Sequence, residues 1–138
     1  MLSKHPGRCR FPHGHSRLIE LVLASDALDR NDMVVDFKWV KLAVEKYIDQ
    51  FDHAMCVNAA DPLLEKLAGV EQRVIVFDEG DPTTERMAER IFRHLQAQIA
   101  AGAELTDDAG LRYRVDNRIR LERVRVWETS TSWAEYAL

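Results

Sequence analysis

Two histidines flank a glycine in the segment CRFPHGHSR, residues 9–17, and a cysteine stands four residues before the first of them. Residues i and i+2 of an extended chain project to the same side, so His13 and His15 can share one Zn²⁺ ion. Cys9 can be a third ligand or a base, but an isolated cysteine is also often a small buried hydrophobe. A His-x-His pair alone is weak evidence, because strand histidines without a metal are the commoner case. The cluster therefore predicts either a zinc site beside a thiol or an unliganded polar turn.

Asp52 and His53 form a second group with proton-transfer chemistry. A carboxylate beside an imidazole can tune a proton shuttle when a substrate or a thiol lies near both. Adjacent side chains seldom hydrogen-bond each other well, so the pair would have to act on a third group. The alternative interpretation is a capping aspartate at the end of a loop, next to a surface histidine.

Glu128 follows Val124 and Val126 on the same face of a predicted strand, where an unpaired carboxylate is costly. A pterin or purine ring offers a donor edge that one carboxylate can bind with both oxygens. If the strand ends before it, Glu128 is simply solvated. Thr83 and Thr84 precede the longest predicted helix, and capping of that helix alone would explain both of them.

The composition excludes several classes of protein. The chain has 138 residues, of which 46% are hydrophobic and 30% charged, and this fits one domain over 1–138. Its apolar runs are too short to span a membrane, and basic residues and a proline interrupt the N-terminus where a signal sequence would need an apolar core. Two cysteines argue against a disulfide framework, so we expect a reducing, cytoplasmic setting. The net charge of −4 argues against general nucleic-acid binding.

The N-terminal segment is basic although the whole chain is acidic. Residues 1–19 contain Lys4, Arg8, Arg10 and Arg17 and no acidic residue. This distribution indicates either an anionic ligand near the cysteine–histidine cluster or a solvated basic terminus. The charge pattern alone favours the solvated terminus.

Helices and strands that could position these groups follow from hydrophobic periodicity. A helix from about 37 to 51 has one apolar face that includes Phe37 and a cap at Asp36. A short helix begins at Asp61-Pro62, and the longest helix runs from about 84 to 100. Strands are predicted at 17–25, 33–37, 73–77, 111–115 and 120–128, with a loop at 52–62 and a tail at 129–138.

The first two strands should form one antiparallel hairpin and the last two another, since short polar turns separate them. The element order is then β-β-α-(α)-β-α-β-β. This order predicts an α+β fold in which an antiparallel sheet carries its helices on one face.

Five segments of the sequence, taken in order, resemble the 6-pyruvoyl-tetrahydropterin synthase superfamily. They are CRFPHGHS, MVVDFKWVK, FDH, DPTTERMAERI and VRVWETSTS, and they cover nearly the whole chain. The resemblance is strongest to the bacterial branch, 6-carboxy-tetrahydropterin synthase. That branch has the same three-residue gap as the one between Cys9 and His13, whereas the animal pyruvoyl enzymes have a longer gap.

The resemblance implies the tunnelling fold (T-fold), an α+β fold in which a four-stranded antiparallel sheet has two main helices on one face. It also implies a homo-oligomer that closes into a barrel, with a small pterin triphosphate as substrate and no nucleic-acid or membrane partner. By the same resemblance the cofactor is Zn²⁺. The implied site residues are His13 and His15 as zinc ligands, Cys9 as the base assisted by Asp52 and His53, and Glu128, Thr83 and Thr84 as contacts of the pterin ring.

The implied reaction is that of a zinc-dependent lyase. It converts 7,8-dihydroneopterin triphosphate to 6-carboxy-tetrahydropterin and releases acetaldehyde and triphosphate, on the route to queuosine. Zinc would polarise the side chain of the substrate while a thiolate removes protons from neighbouring carbons. Two alternatives remain open: 6-pyruvoyl-tetrahydropterin synthesis, and a non-catalytic or truncated family member that acts as a binding subunit.

The sequence departs from the family pattern at its beginning. Members of the superfamily start with a strand that ends in a histidine, the third zinc ligand, shortly before the cysteine. The present chain begins MLSKHPGRC, which resembles the loop after that histidine. We therefore expect that Met1 is an internal start, that the first strand is missing, and that a three-stranded sheet with an open edge remains. His5 is the weaker candidate for the third ligand, and the segment 100–117 is longer than the family pattern.

Overall fold

The computed structural model describes residues 1–67, 69 and 73–138. Seven strands, three α-helices and one 3₁₀ turn follow one another over these residues. In chain order they are the turn Arg8–Arg10, β1 (Leu18–Ala24), α1 (Phe37–Asp49), β2 (Met55–Asn58), α2 (Leu63–Leu67), β3 (Val74–Phe77), α3 (Thr84–Ala100), β4 (Glu104–Thr106), β5 (Arg112–Arg114), β6 (Arg120–Trp127) and β7 (Trp133–Tyr136).

The three helices begin where the sequence predicts them. The Asp36 carboxylate accepts a hydrogen bond from the Lys38 amide at 2.7 Å and caps α1. Asp61 does the same for α2 through the Leu63 amide at 2.9 Å. The longest helix has the predicted bounds, 84 to 100, and Thr83 is its cap. Within the described ranges, every helix is too short or too polar to span a bilayer.

The main sheet is antiparallel and has the strand order β1-β6-β7. Leu21 pairs with Val124, and Val126 pairs with Ala134. A bulge shifts the register between Val22 and Leu23. The long strand β6 is therefore the centre of the sheet, and it ends beside the start of β1 at the pair Leu18 and Trp127.

The core lies between one face of this sheet and the two long helices. Val124 and Val126 are fully buried and pack against Met87, Ile91 and Phe92 of α3. Trp39 of α1 is also fully buried and belongs to a second cluster, which meets the first at residues such as Leu21 and Leu121. The predicted α+β arrangement, with both main helices on one face of an antiparallel sheet, is confirmed.

The strand predicted over 33–37 is wrong. Residues 33–36 form a bend that leads directly into α1. The Asp29 carboxylate accepts hydrogen bonds from the amides of Asn31 at 2.8 Å and Met33 at 3.0 Å. These local bonds close a tight loop and offer the backbone an alternative to strand pairing. Val34 and Val35 are half-buried against the core from this bend, so their hydrophobicity reports packing and not a strand.

The segment predicted as a loop at 52–62 contains strand β2. Met55–Asn58 pairs in parallel with β3, and Cys56 lies opposite Ile75. The run is only four residues long and its partner follows after a helix, so no local turn signal marks it.

The predicted pairing of residues 111–115 with 120–128 is also wrong. Strand β5 pairs with β4, and β6 pairs with β1 and β7. The tail predicted at 129–138 contains β7, whose Tyr136 packs against Phe92 with ring centroids 5.2 Å apart.

The apolar face predicted for α1 is partly wrong as well. Phe37 is 88% exposed, whereas Trp39 is fully buried. Phe37 stands in the first turn of the helix, and the buried face is formed by Trp39, Ala43 and Val44.

Candidate functional site

A pocket of about 1260 Å³ lies where the N-terminal segment, the loop after α1, the start of α3 and the end of β6 converge. The structure brings all eight predicted site residues to the wall of this pocket. They are Cys9, His13, His15, Asp52, His53, Thr83, Thr84 and Glu128. Four distant parts of the sequence therefore contribute to one cavity.

The two histidines of the HGH segment lie side by side. Their ring centroids are 4.8 Å apart and the rings are nearly perpendicular, at 85°. His13 Nδ1 is 2.7 Å from the Phe11 carbonyl oxygen, so this nitrogen donates and Nε2 is left as a potential ligand atom. A backbone carbonyl that fixes the tautomer in this way is a common partner of metal-binding histidines.

His15 contacts Glu128, the residue predicted to bind the pterin ring. Its Nε2 is 3.2 Å from Glu128 Oε1. Burial lowers the pKa of His15; the Glu128 charge opposes this shift, and the Arg17 charge adds to it. A neutral imidazole is the form that binds a metal ion.

The histidine pair fits part of a zinc site. Among the described residues, no three histidine, cysteine or acidic side chains are grouped closely enough to hold a metal ion. His13 and His15 can supply two of the ligands that a tetrahedral site requires. Cys9 and His5 line the same pocket but do not complete such a group.

Cys9 is placed by the N-terminal segment. It lies in the turn Arg8–Arg10, and its carbonyl oxygen accepts a hydrogen bond from the Leu2 amide at 2.8 Å. The thiol is free and half-buried. Cys56 on β2 also lines the pocket, and burial raises the pKa of this second thiol. The pocket thus holds two thiols in different surroundings.

Asp52 and His53 lie at the rim of the pocket with largely exposed side chains. Asp52 Oδ2 is 3.9 Å from His53 Nε2. Within the described part of the chain, neither side chain hydrogen-bonds Cys9. His53 has a backbone φ of 50°, in the left-handed region that non-glycine residues rarely adopt.

The two threonines before and in α3 have different partners. The Thr83 hydroxyl accepts from the Arg86 amide at 3.3 Å, so helix capping accounts for it. The Thr84 hydroxyl accepts from Arg17 Nη1 at 2.8 Å, and Thr84 is 8% exposed. Thr84 therefore faces the pocket chemistry, while Thr83 mainly starts the helix.

Arg17 lines the pocket, whereas the sequence singled it out only as one of several basic N-terminal residues that could attract an anionic ligand. Its Nη2 lies 3.4 Å from Glu128 Oε1, and 17% of its side chain is exposed. The spacing held a usable signal: residues 13, 15 and 17 alternate, so an extended chain points all three side chains to one side. Arg8 and Arg10, by contrast, are exposed and do not line the pocket in the described structure.

Asp81 is the second residue that sequence reasoning missed. Its carboxylate accepts hydrogen bonds from the Ser3 hydroxyl, the Lys4 amide and the Asn58 side chain. Asn58 is 3% exposed and ends strand β2. Asp81 thereby ties the N-terminal segment that carries Cys9 to the loop before α3. The one signal in the sequence was a polar residue, Asn58, directly after the apolar run 55–57.

Comparison with known proteins identifies the class to which this fold and pocket belong. A sequence profile described as 6-pyruvoyl tetrahydropterin synthase matches residues 1–138. The chain therefore belongs to the 6-pyruvoyl tetrahydropterin synthase family, as the resemblance predicted.

Among similar proteins are two that carry the name 6-carboxy-5,6,7,8-tetrahydropterin synthase. The protein from Aquifex aeolicus is 32% identical over 137 residues, a match covering 96% of this chain and 78% of that protein. The protein from Haemophilus influenzae is 27% identical over 143 residues, a match covering 99% of this chain and 89% of that protein. A crystal structure of an uncharacterized protein from Wolinella succinogenes is similar in fold, with a TM-score of 0.68, 21% identity, and coverage of 94% of this chain and 80% of that one.

Proposed function

We propose that the protein is a lyase that converts 7,8-dihydroneopterin triphosphate to 6-carboxy-tetrahydropterin. The reaction consumes water and releases acetaldehyde and triphosphate. The supporting similarity is to relatives that carry the name of this synthase. In this proposal the product serves as a precursor in the queuosine pathway, and the enzyme acts in the cytoplasm.

One observation carries the proposal: the Glu128 carboxylate lines the same pocket as two imidazoles and a thiol from the distant N-terminal segment. Glu128 offers an acceptor for the two N–H groups at the amino end of a pterin ring, and such charge-assisted bonds are strong. Its Oε1 contacts His15 and Arg17. These contacts hold the carboxylate beside the two histidines proposed as zinc ligands.

The roles of the remaining groups follow from their positions. Cys9 acts as the base that removes a proton from the substrate side chain, and the segment tied down by Asp81 keeps it over the pocket. Asp52 and His53 at the rim relay protons between the substrate and solvent. Zinc held by His13 and His15 would polarise the oxygens of the substrate side chain.

We further propose that the protein is a homo-oligomer in which sheets join into a barrel. Among the described strands, β1 and β7 each pair with β6 alone, so each has a second edge available for pairing. Leu18 at the start of β1 and Trp133 at the start of β7 are 65% and 46% exposed. Light scattering of the purified chain tests this proposal: a monomer at all concentrations would reject it.

Product analysis with 7,8-dihydroneopterin triphosphate tests the reaction. We expect acetaldehyde and a 6-carboxy pterin in equal amounts. A 6-pyruvoyl product, with triphosphate released and no acetaldehyde, would assign the chain to the sister activity instead. Glu128→Gln is the matched variant, because it keeps the shape of the side chain but removes the charge that pairs with the ring.

A binding subunit without catalysis is the second candidate. The observation that favours it is the lack of a three-ligand metal group among the described residues. This candidate predicts that calorimetric titration detects pterin binding. It also predicts that no product forms when zinc is supplied. Turnover by the zinc-supplemented protein would exclude it.

A further inference from the structure

We propose that Arg17 determines specificity by recognising the ring carbonyl of the bound substrate, next to the contact made by Glu128. This inference rests on the proposed function, because it assigns one more residue to the same pocket. The residue is neither a predicted zinc ligand nor part of the predicted proton-transfer group.

The position of the Arg17 guanidinium is fixed at one end. Nη1 donates to the Thr84 hydroxyl at 2.8 Å, a short hydrogen bond to a buried side chain at the start of α3. Only 17% of the Arg17 side chain is exposed, so its charge is largely withdrawn from water. Arginine suits such a task because its planar fork presents several donors in fixed directions.

The other end of the guanidinium is loosely engaged. Nη2 is 3.4 Å from Glu128 Oε1, which is longer than the usual N–H···O distance. Oε1 also contacts His15, whereas Oε2 makes no hydrogen bond or ion pair among the described residues. Nη2 therefore keeps donor capacity toward the pocket, and the carboxylate keeps an acceptor.

Together the two side chains present a row of hydrogen-bonding groups. The Glu128 carboxylate supplies two acceptors, and the adjacent Nη2 of Arg17 supplies a donor. A 2-amino-4-oxo pyrimidine ring presents the complementary row: the amino N–H, the ring N–H and the carbonyl oxygen. Glu128 alone reads only the two donors, and Arg17 Nη2, 3.4 Å from Glu128 Oε1, is placed to bind the carbonyl.

A different role for Arg17, as a mere counter-ion of Glu128, makes a separable prediction. Loss of a counter-ion would weaken or strengthen binding of every ring through the carboxylate. Loss of a donor to the carbonyl would instead change the preference between rings that differ at that position. The ratio of two dissociation constants therefore distinguishes the roles, and it is insensitive to the amount of active protein.

The experiment is a fluorescence titration of the full chain with pterin (2-amino-4-oxopteridine) and with its 4-thioxo analogue, which keeps the amino and ring N–H groups and replaces the carbonyl oxygen by the weaker acceptor sulfur. We expect the wild type to prefer pterin, with a contribution from Arg17 of about tenfold, as for one hydrogen bond to a charged group. Arg17→Met should reduce the preference by about that factor, while Arg10→Met, a change at an exposed arginine, should leave it unchanged. Arg17→Lys should restore part of it, because it keeps a donor without the fork.

Three outcomes are decisive. A preference that falls in Arg17→Met and partly returns in Arg17→Lys supports the proposal. Pterin binding by Arg17→Met with the wild-type preference would overturn it and leave the proposed function intact. Binding of neither ring by the wild type would overturn the proposed function as well. If Arg17→Met does not fold, the comparison of wild type with Arg17→Lys decides: an unchanged preference overturns the proposal.

Discussion

Asp81 accepts a hydrogen bond from the backbone amide of Lys4 at 2.8 Å, although 77 positions separate the two residues. Lys4 donates to Oδ2, and the other oxygen, Oδ1, accepts hydrogen bonds from the Ser3 hydroxyl and the Asn58 side-chain amide. The Met1 amino group also lies 3.5 Å from the Cys56 carbonyl oxygen. The segment that ends at Cys9 is therefore attached to the rest of the molecule largely, though not entirely, through this one acidic side chain. Its hold is polar, so it can be altered without disturbing the hydrophobic core.

Replacement of Asp81 by asparagine should destabilise the protein by roughly 1–2 kcal/mol, because an amide group would face donors that now meet a carboxylate. Urea unfolding measures the change. Asp78→Asn is the matched control, since Asp78 is exposed and lies in the same loop, and it should change stability by less than about 0.5 kcal/mol. Equal unfolding midpoints for the two variants would show that the N-terminal segment is held by other contacts.

The same carboxylate should make stability depend on acid. Burial acts to raise the pKa of Asp81, but the hydrogen bonds from Ser3, Lys4 and Asn58 outweigh it and hold the pKa below the ordinary 3.8. A group whose pKa is lower in the folded state stabilises the fold above its unfolded value and loses that contribution as the pH falls through the folded value. The stability gap between wild type and Asp81→Asn should therefore be full well above pH 3.8 and should narrow below it. Unfolding titrations at several pH values measure the gap, and a gap that does not change with acid contradicts the role.

The two thiols in the pocket should differ in function. Cys9→Ala should abolish acetaldehyde release while pterin still binds, because only the proposed base is removed. Cys56→Ala is the matched control: it should keep most turnover and lose about 1 kcal/mol of stability, since Cys56 packs beside the core. Steady-state assays and pterin titration separate the two results. Full turnover by Cys9→Ala would remove Cys9 from the mechanism.

Zinc binding should depend on the HGH segment. With a third ligand supplied beside His13 and His15, the protein should bind about one zinc ion per chain, and His13→Ala and His15→Ala should each lower that content sharply. His5→Ala is the comparison variant, because His5 lines the pocket but its Nδ1 already accepts from the Gly7 amide at 3.0 Å. Elemental analysis after dialysis gives the content. A similar loss in His5→Ala would make His5 a ligand, and no loss in His13→Ala would remove the pair from the site.

Two aromatic residues at the start of α1 should lose very different amounts of stability on replacement by leucine. Trp39→Leu should cost about 3 kcal/mol, because it opens a cavity and leaves the Ala103 carbonyl without the indole donor 2.9 Å away. Phe37→Leu should be nearly neutral, because Phe37 is 88% exposed. Thermal and urea unfolding compare them. A large loss from Phe37→Leu in the isolated chain at low concentration would contradict the exposed position.

The helices could be predicted because their signals are local. Asp36, Asp61 and Thr83 cap the amides that follow them directly, and the apolar stripe of α3 repeats every turn. Strand pairing is not local, and there the prediction failed. The sequence near β6 does not indicate that this strand pairs with β1, which lies about a hundred residues earlier, or with β7, which follows it after a short turn. The sequence predicts a strand for the bend before α1 because this segment contains two adjacent valines. In the structure these valines pack against the core from the bend.

The residues that the family resemblance names all line one pocket, but their contacts could not be predicted from the sequence. The motifs named His15 and Glu128 separately, and only the fold shows that they lie 3.2 Å apart. Arg17 and Asp81 carry no motif of their own, because each acts through groups that the fold brings to it. Their roles depend on distance in space, which residue spacing records only within a single element.

The left-handed backbone of His53 places this residue under two conflicting demands. A histidine at a φ of 50° is strained by about 1 kcal/mol relative to glycine, which has no Cβ to oppose this conformation. A laboratory selection for heat resistance alone would therefore favour replacement of His53, whereas the proposed proton-transfer role predicts that a selection for turnover would retain it. In libraries randomised at this codon, the two screens should rank the variants in opposite orders. Selection for thermal stability first would therefore remove the imidazole before its part in turnover was measured.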